Sequence, residues 1–443
     1  MGAELGLTHD FCVKEMSDRV VADLGVLKTY PRSRIEGRTL EFVMGQSANE
    51  RFGAMGNWNR MGFADHDLSR DPEIYVTTVV NNRADRVPRS RVFARILVQD
   101  VAADRHFLIG SNIEGLLGFI EEEWAEYAAG LTLAHEGDDP LAKLEELAKQ
   151  QRIPVSEREV EGRIAAMRRD PAIADAHGDA IAAHEAEIRE LHQSYAALRD
   201  QLAKGGNPAG LDGAMRDLLG RAFHAKLVPV RDYYISGEAI VRLIARQTPP
   251  GLVNRIMGMQ NIKGTGLDWV YRWQAWEAVW KACQQLREDD PGAVERGFRM
   301  LGSFQEYGVL SAAEMRAAIA HLRASGDLPA SITSQQIDAL EARLEEQLAA
   351  LAGEDDAGEG AHDVQQGRLA ALGARLLDTA EAFLDAGDAV RRRKASDRIY
   401  DALIAEQISS QRAAAELKKL TSRQKGGWLG KSLKDGLKLA MRG

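Results

Sequence analysis

Some short stretches of this chain combine residue types that bind charged ligands. Gly45-Gln46-Ser47-Ala48-Asn49-Glu50 follows the apolar run Thr39 to Met44. Asn81-Asn82-Arg83-Ala84-Asp85-Arg86, with Arg89 close behind, follows Ile74 to Val80. Gln260-Asn261-Ile262-Lys263-Gly264-Thr265-Gly266 follows Leu252 to Met259. Arginine presents a planar fork of donors that fits a carboxylate or a phosphate. Glycine at a helix start lets backbone N–H groups approach an anion, and asparagine offers a donor and an acceptor to an amide or purine edge. A plainer reading pairs Arg83 and Arg86 with Asp85 or with helix ends and lets the glycines only shape turns. Residue types alone leave both readings open.

Each stretch leaves a β-rich run and enters a helical pattern. The runs Thr39–Met44, Ile74–Val80 and His106–Gly110 are separated by helical patterns near 50–63 and 88–99, and a further one spans Glu114 to Tyr127. Later come a short strand at Lys226–Val230, a helix capped by Ser236 and a strand at Leu252–Met259. A helix carrying Trp269, Trp273, Trp276 and Trp280 follows. Continuous apolar strands alternating with helices predict a parallel sheet covered on both faces. In such sheets ligands sit beyond the carboxyl ends of the strands. The tryptophans, at helical spacing, are expected to pack inward rather than to stack on nucleic acid.

The expected class is α/β, a parallel Rossmann-like sheet with an inserted helical hairpin and a helical C-terminal region. The α/β domain is placed at 31–135 and 218–288, and the helical insertion at 136–217. A helical region at 289–421 contains an acidic linker near 353–362. An N-terminal helix or linker fills 1–30, with its helix at Asp10 to Leu24, and a basic amphipathic tail fills 422–443. In the insertion, Ser156 and Glu159 form a capping box. Ile181, Ile188, Leu191, Tyr195, Leu198 and Leu202 form a stripe of coiled-coil character. That pattern predicts a hairpin separable from the sheet. A second capping box is expected at Ser311 and Glu314.

Composition narrows the function classes. The chain has 443 residues, 45% of them hydrophobic and 28% charged, with a net charge of -9. That is a globular protein, and its acidity argues against a general nucleic-acid binder. Cys12 and Cys283 stand far apart, and His184-Glu185 lacks the spacing of a zinc motif, so neither a disulfide framework nor a metal site is expected. Without a signal-like segment or an apolar run of the roughly 20 residues that span a bilayer, a cytoplasmic protein is expected.

Residues 41–60, 74–117 and 226–268 resemble the C-terminal domain of the ligase component of poly-γ-glutamate synthase, a relative of the peptidoglycan Mur ligases. The features that carry the resemblance are Phe42-Val43-Met44-Gly45 running into Ala48-Asn49, the Asn81 to Arg89 motif, Leu108-Ile109-Gly110, and Gln260-Asn261-Ile262-Lys263-Gly264. Lys263 stands where the family has histidine, and Glu50 where it has aspartate. The resemblance implies a domain that closes over ATP and binds the incoming amino acid. Asn49 would then face the nucleotide. Asn81, Arg83, Asp85, Arg86 and Arg89 would hold the carboxylated substrate or the phosphates, with Asn261, Lys263 and Gly264 lining the same cleft.

Ligases of this type phosphorylate a carboxylate with ATP, which requires a glycine-rich loop with lysine and magnesium ligands. No G-x-x-x-x-G-K-[ST] occurs in these 443 residues, because Lys425 occupies the first glycine position before Gly430-Lys431-Ser432. The family's central domain would precede residue 1. The resemblance therefore implies a portion of an ATP-dependent acid–amino acid ligase whose ATP and magnesium are bound only with a separate P-loop polypeptide. The alternative is a non-catalytic helical scaffold or docking protein derived from such a ligase.

The last residues have a distinct character. From Lys418 to Gly443 the basic residues Lys418, Lys419, Arg423, Lys425, Lys431, Lys434, Lys438 and Arg442 face one acid, Asp435. Leu429, Leu433, Leu437 and Met441 recur at helical spacing. This pattern suits the anionic inner face of a membrane, where each basic residue contributes about 1 kcal/mol. The full chain is expected to co-sediment with anionic vesicles at low salt, and a form ending at Ser422 to lose that binding. Equal binding by both forms, or binding by neither, rules the tail out as a membrane contact.

Overall fold

The computed structural model describes residues 26–359 apart from 47, 135, 136, 138, 305, 326 and 327. The chain divides into two compact units, Met1–Asp356 and Ala357–Gly443, and the elements below begin in the first. The helix expected at Asp10 to Leu24, Ser47, the helices after 360 and the basic tail lie outside the described residues.

The chain opens with β1 (Lys28–Thr29), β2 (Ser33–Ile35), β3 (Arg38–Met44), α1 (Arg51–Arg60), β4 (Ile74–Asn82), α2 (Val87–Gln99), β5 (Arg105–Gly110) and α3 (Ile113–Gly130). The insertion follows as α4 (Pro140–Gln150), α5 (Glu157–Met167), α6 (Pro171–Ala176), α7 (Gly178–Ala203) and α8 (Pro208–His224). Next come β6 (Leu227–Pro229), α9 (Gly237–Gln247), β7 (Val253–Gln260) and α10 (Thr265–Gln285). Then α11 (Pro291–Ser303), α12 (Val309–Ala324) and α13 (Ser334–Glu359) complete the described elements.

Strands β3, β7, β4, β5 and β6 lie side by side in that order and are parallel, as expected. The short strands β1 and β2 pair antiparallel with β3 and close that edge. A two-residue turn joins β2 to β3, with Glu36 at φ 46° and Gly37 at φ 75°, the conformation that matches strand twist in a tight hairpin.

The connections β3–β4, β4–β5 and β5–β6 all advance one way across the sheet, and β6–β7 turns back. Right-handed crossovers therefore put α1, α2 and α3 on one face and α9 on the other. On the first face Val43, Val76, Val80 and Leu108 pack against Trp58, Phe93, Leu97 and Ile120. On the second, Leu40, Phe42, Val79 and Phe107 pack against Ile240, Ile244, Trp269 and Trp273. The tryptophan helix is a packing face, as expected. Phe42 lies 5.2 Å from Trp269 and 5.4 Å from Trp273 between ring centres, and Trp276 Nε1 donates to the Pro31 carbonyl.

The structure corrects three local expectations. Helices α7 and α8 form the expected hairpin, but its apolar core is shared with the rest of the fold. Leu144, Leu147, Tyr195, Leu198, Met215 and Phe223 belong to the same core as α2 and α3, while Ile181 and Ile188 pack on Tyr75, Val160 and Met167. The stripe on α7 thus serves several neighbours, not one antiparallel partner. The Ser311 and Glu314 capping box does not form. Helix α12 starts earlier, its Val309 N–H is taken by Glu238 Oε1 at 2.6 Å, and Glu314 binds Gln284 and Arg287. Finally, the stretch expected as a linker from 353 continues α13 to Glu359, although the unit boundary does fall inside it. The Ser156 cap forms as expected, with Glu159 reaching back to the Val155 N–H.

A buried ion cluster fixes the insertion to the amino-terminal end of the sheet. Asp104, just before β5, accepts from Arg152 Nε at 2.8 Å, Arg163 Nη2 at 3.2 Å and the Val76 N–H at 2.7 Å. Arg152 and Arg163 also donate to the Ile74 carbonyl at the start of β4. Burial raises the Asp104 carboxyl, but the charges of Arg152 and Arg163 outweigh it and hold the group at about 2, against an ordinary 3.8. Asp104→Ala leaves two buried guanidinium groups without their counter-charge, which costs about 3–5 kcal/mol. The expected readout is a lower urea midpoint at unchanged slope. A depressed carboxyl contributes stability above its unfolded value and loses it as pH falls through the folded one. Between about pH 4 and pH 2 the wild type should therefore lose more stability than the variant.

Candidate functional site

Helices α1 and α2 leave the carboxyl ends of β3 and β4 toward one face of the sheet. The neighbouring β7 feeds α10 toward the other. Diverging loops of this kind open a crevice at the point where the strand order reverses. The register pairs Asn81 of β4 with Gln260 of β7 at its floor.

Successive strand residues point to opposite faces, and the doubled asparagine at the end of β4 uses both. Asn81 Nδ2 donates to the carbonyls of Asn261 and Lys263, each at 2.8 Å, and so holds the loop before α10. Asn261 Nδ2 returns a bond to the Asn81 carbonyl at 3.1 Å, and Arg89 Nη1 donates to Asn261 Oδ1 at 2.9 Å. Asn82 serves the other side. Its Nδ2 donates to the carbonyls of Ser111 and Asn112 at 2.8 and 3.1 Å. Its Oδ1 accepts from Ser90 Oγ at 2.7 Å and Gln260 Nε2 at 3.0 Å.

The loop before α10 needs its glycines. Gly264 sits at φ 70°, ψ -135°, a region open to glycine alone. A Cβ on Gly266 would fall 2.3 Å from Asn81 Nδ2. The three helices that start at this crevice, α1, α2 and α10, have no side-chain cap at Glu50, Arg86 or Gly264. Elsewhere α3, α5 and α9 are capped by Asn112, Ser156 and Ser236, while α7, α8 and α12 also lack a side-chain cap. Uncapped first-turn N–H groups and the positive end of the helix dipole favour an anion. Buried amide atoms beside them lack hydrogen-bond partners: both ends of Gln46, Asn81 Oδ1 and Gln260 Oε1.

The structure brings Asn81, Arg89, Asn261, Lys263 and Gly264 together. Lys263 joins through its carbonyl, and its side chain is exposed. Asn49 lies half-buried before α1. Arg83, Asp85 and Arg86 share the same end but engage each other. Arg83 grips Asp85 with two bonds of 2.8 and 2.6 Å, and Arg86 lies 3.7 Å away. Burial raises the Asp85 carboxyl, and the Arg83 bond with the charges of Arg83 and Arg86 together more than reverse that. The pair is solvent-facing, where such contacts contribute little, so an anionic ligand can compete for Arg83. Asn82, Ser90, Ser111 and Gln260 were not among the expected site residues. The doubled asparagine was the signal available for them.

The donors at this end suit a phosphate or a carboxylate. No group of three or more His, Cys, Asp or Glu among the described residues could hold a metal ion. No helix among them is long and apolar enough to cross a membrane.

Residues 29–170 match the family model of the poly-gamma-glutamate synthase CapB C-terminal domain. The match covers β1 to α5, including the loops after β3 and β4, and leaves β6, α9, β7 and the loop before α10 outside it. Searches of curated proteins and of solved structures found no match.

Substitutions should separate framework from surface here. Asn81→Ala strands one buried carbonyl and one part-buried carbonyl and is expected to cost about 2–3 kcal/mol, and Gly264→Ala about 1–3 kcal/mol of strain. Arg83→Ala should stay within about 0.5 kcal/mol of the wild type. Urea denaturation measures all three. An Arg83→Ala loss equal to that of Asn81→Ala would show that the arginine is structural.

Proposed function

We propose that this chain supplies the substrate- and nucleotide-closing domain of an ATP-dependent acid–amino acid ligase of the poly-γ-glutamate synthase type. One observation carries the reading. In and beside the segment that matches the CapB C-terminal domain, Arg83, Arg86 and Arg89 and three uncapped helix starts surround one crevice. Such a crevice would hold phosphate oxygens or the carboxylate of an incoming amino acid through charge-assisted bonds. Asn49, at the start of α1, would border the nucleotide. Asn261, Lys263 and Gly264 would form the opposite wall.

A carboxylate is a poor acylating group until it is phosphorylated. That activation needs a phosphate-gripping lysine loop and magnesium. The 443 residues contain no such loop. In this reading a P-loop domain from outside them holds ATP and magnesium, and the crevice closes on it. The rim supports such docking. Phe52 on the first turn of α1 is 93% exposed, and Val87 at the start of α2 and Tyr234 in the loop after β6 stand exposed at the same end. The same rim suits a docking protein that has lost catalysis. A neighbouring reading frame for a P-loop domain favours the ligase, and its absence favours the docking protein.

The purified chain alone is expected to show no magnesium-dependent ATP hydrolysis. Turnover by the chain alone, abolished by Arg83→Ala, would overturn the proposal.

A further inference from the structure

The opposite end of the sheet holds a small cavity, walled by both apolar and charged residues, that the reading above does not use. It encloses about 40 Å³ between the amino-terminal ends of β4 and β5 and the helices α5 and α7. Tyr75 is six residues before Asn81, so the two sites lie about 20 Å apart along β4.

The charges around this cavity do not balance. Arg105, Arg152, Arg163 and Lys226 line it against two carboxylates, Asp104 and Glu187. Both carboxylates are already engaged. Asp104 holds Arg152 and Arg163, and Glu187 accepts from Arg105 Nη2 at 3.0 Å and meets His184 Nδ1 at 3.1 Å. Lys226 Nζ donates to neutral acceptors, the Gln151 carbonyl at 2.5 Å and its Oε1 at 3.2 Å. Burial pulls its amine down to about 7, as expected for a cation enclosed without a counter-charge of its own. Two further polar atoms on the cavity wall have no partner: the hydroxyl of Tyr75, 1% exposed, and Nε2 of His184. Buried polar atoms are rarely left so.

We propose that this cavity binds a compact oxyanion, a phosphate or a carboxylate, between Tyr75, His184 and Lys226. By volume it admits about three water-sized centres, enough for such a group and not for a nucleotide. The bound anion would keep Lys226 charged. With His184 Nδ1 turned to Glu187, Nε2 is the ring nitrogen left to face the anion, and a proton taken up there on binding would be donated to it. The occupant would join α7 to β4 and β5, so its presence would tighten the insertion on the sheet. Partly exposed Glu187 and Arg105 mark the way in.

The test titrates the full chain with inorganic phosphate against chloride at constant ionic strength, following the melting temperature and the binding heat. A saturable rise with phosphate is expected, weakened at least tenfold in Tyr75→Phe and in Lys226→Met. Arg83→Ala, which reports on the crevice at the other end, should leave this response in place. No saturable response in the wild type overturns the proposal. So does a response that survives in Tyr75→Phe at full strength or that disappears in Arg83→Ala. Should Lys226→Met not fold, the wild type and Tyr75→Phe decide.

Discussion

The position of β7 governs this structure. It is the last of the described strands in the sequence, yet it lies between β3 and β4, the first two of the parallel set. To reach that place the chain must travel backward across the sheet, and the right-handed rule for crossovers then sends α9 to the second face. The second hydrophobic core, with Phe42, Trp269 and Trp273, exists because of that reversal. So does the crevice, since only a strand whose helix leaves in the opposite direction can spread neighbouring loops apart.

Strand β4 is the common member of everything that follows. It is buried along its whole length, and polar groups concentrate at its two ends. At the carboxyl end, uncharged amides join it to both diverging loops and leave the arginines on the rim. At the amino end, Ile74 accepts from Arg152 and Arg163 while Val76 meets Asp104. One end is built from dipoles that position loops, the other from full charges that hold the helical insertion in place. Removing a charge from the buried end is costly, because no water is at hand to replace it. The rim arginines have water beside them and can change partners cheaply.

The sequence made the central strands legible because Ile74 to Val80 and Leu252 to Met259 are long, apolar and bounded by turn residues. It did not reveal β1 and β2, which have two and three residues and exist only through pairing with β3. The site was half legible. Asn81, Arg89 and Asn261 follow strands and could be named from position. The role of Asn82 depends on Ser111, 29 residues away, and on Gln260, 178 residues away. The capping box at Ser311 failed for a similar reason, as the helix begins two residues earlier, where Glu238 from another helix binds the Val309 N–H. The stripe on α7 was read correctly as apolar. Its spacing carries no information on how many neighbours would share it.

The late arrival of β7 also shapes how the molecule must assemble. Contacts such as Arg255 with Glu41 span 214 residues, and Asn81 with Asn261 spans 180. A sheet whose middle strand is translated after its neighbours has a high contact order, and ordering such long loops slows folding. Until residues 253–260 leave the ribosome, β3 and β4 each present an unpaired apolar edge to solvent, the kind of surface on which nascent chains associate wrongly. The insertion between β5 and β6, by contrast, is rich in local helical contacts and can gather early. Its collapse against α2 and α3 would shield one flank of β4 while the gap beside it waits to be filled.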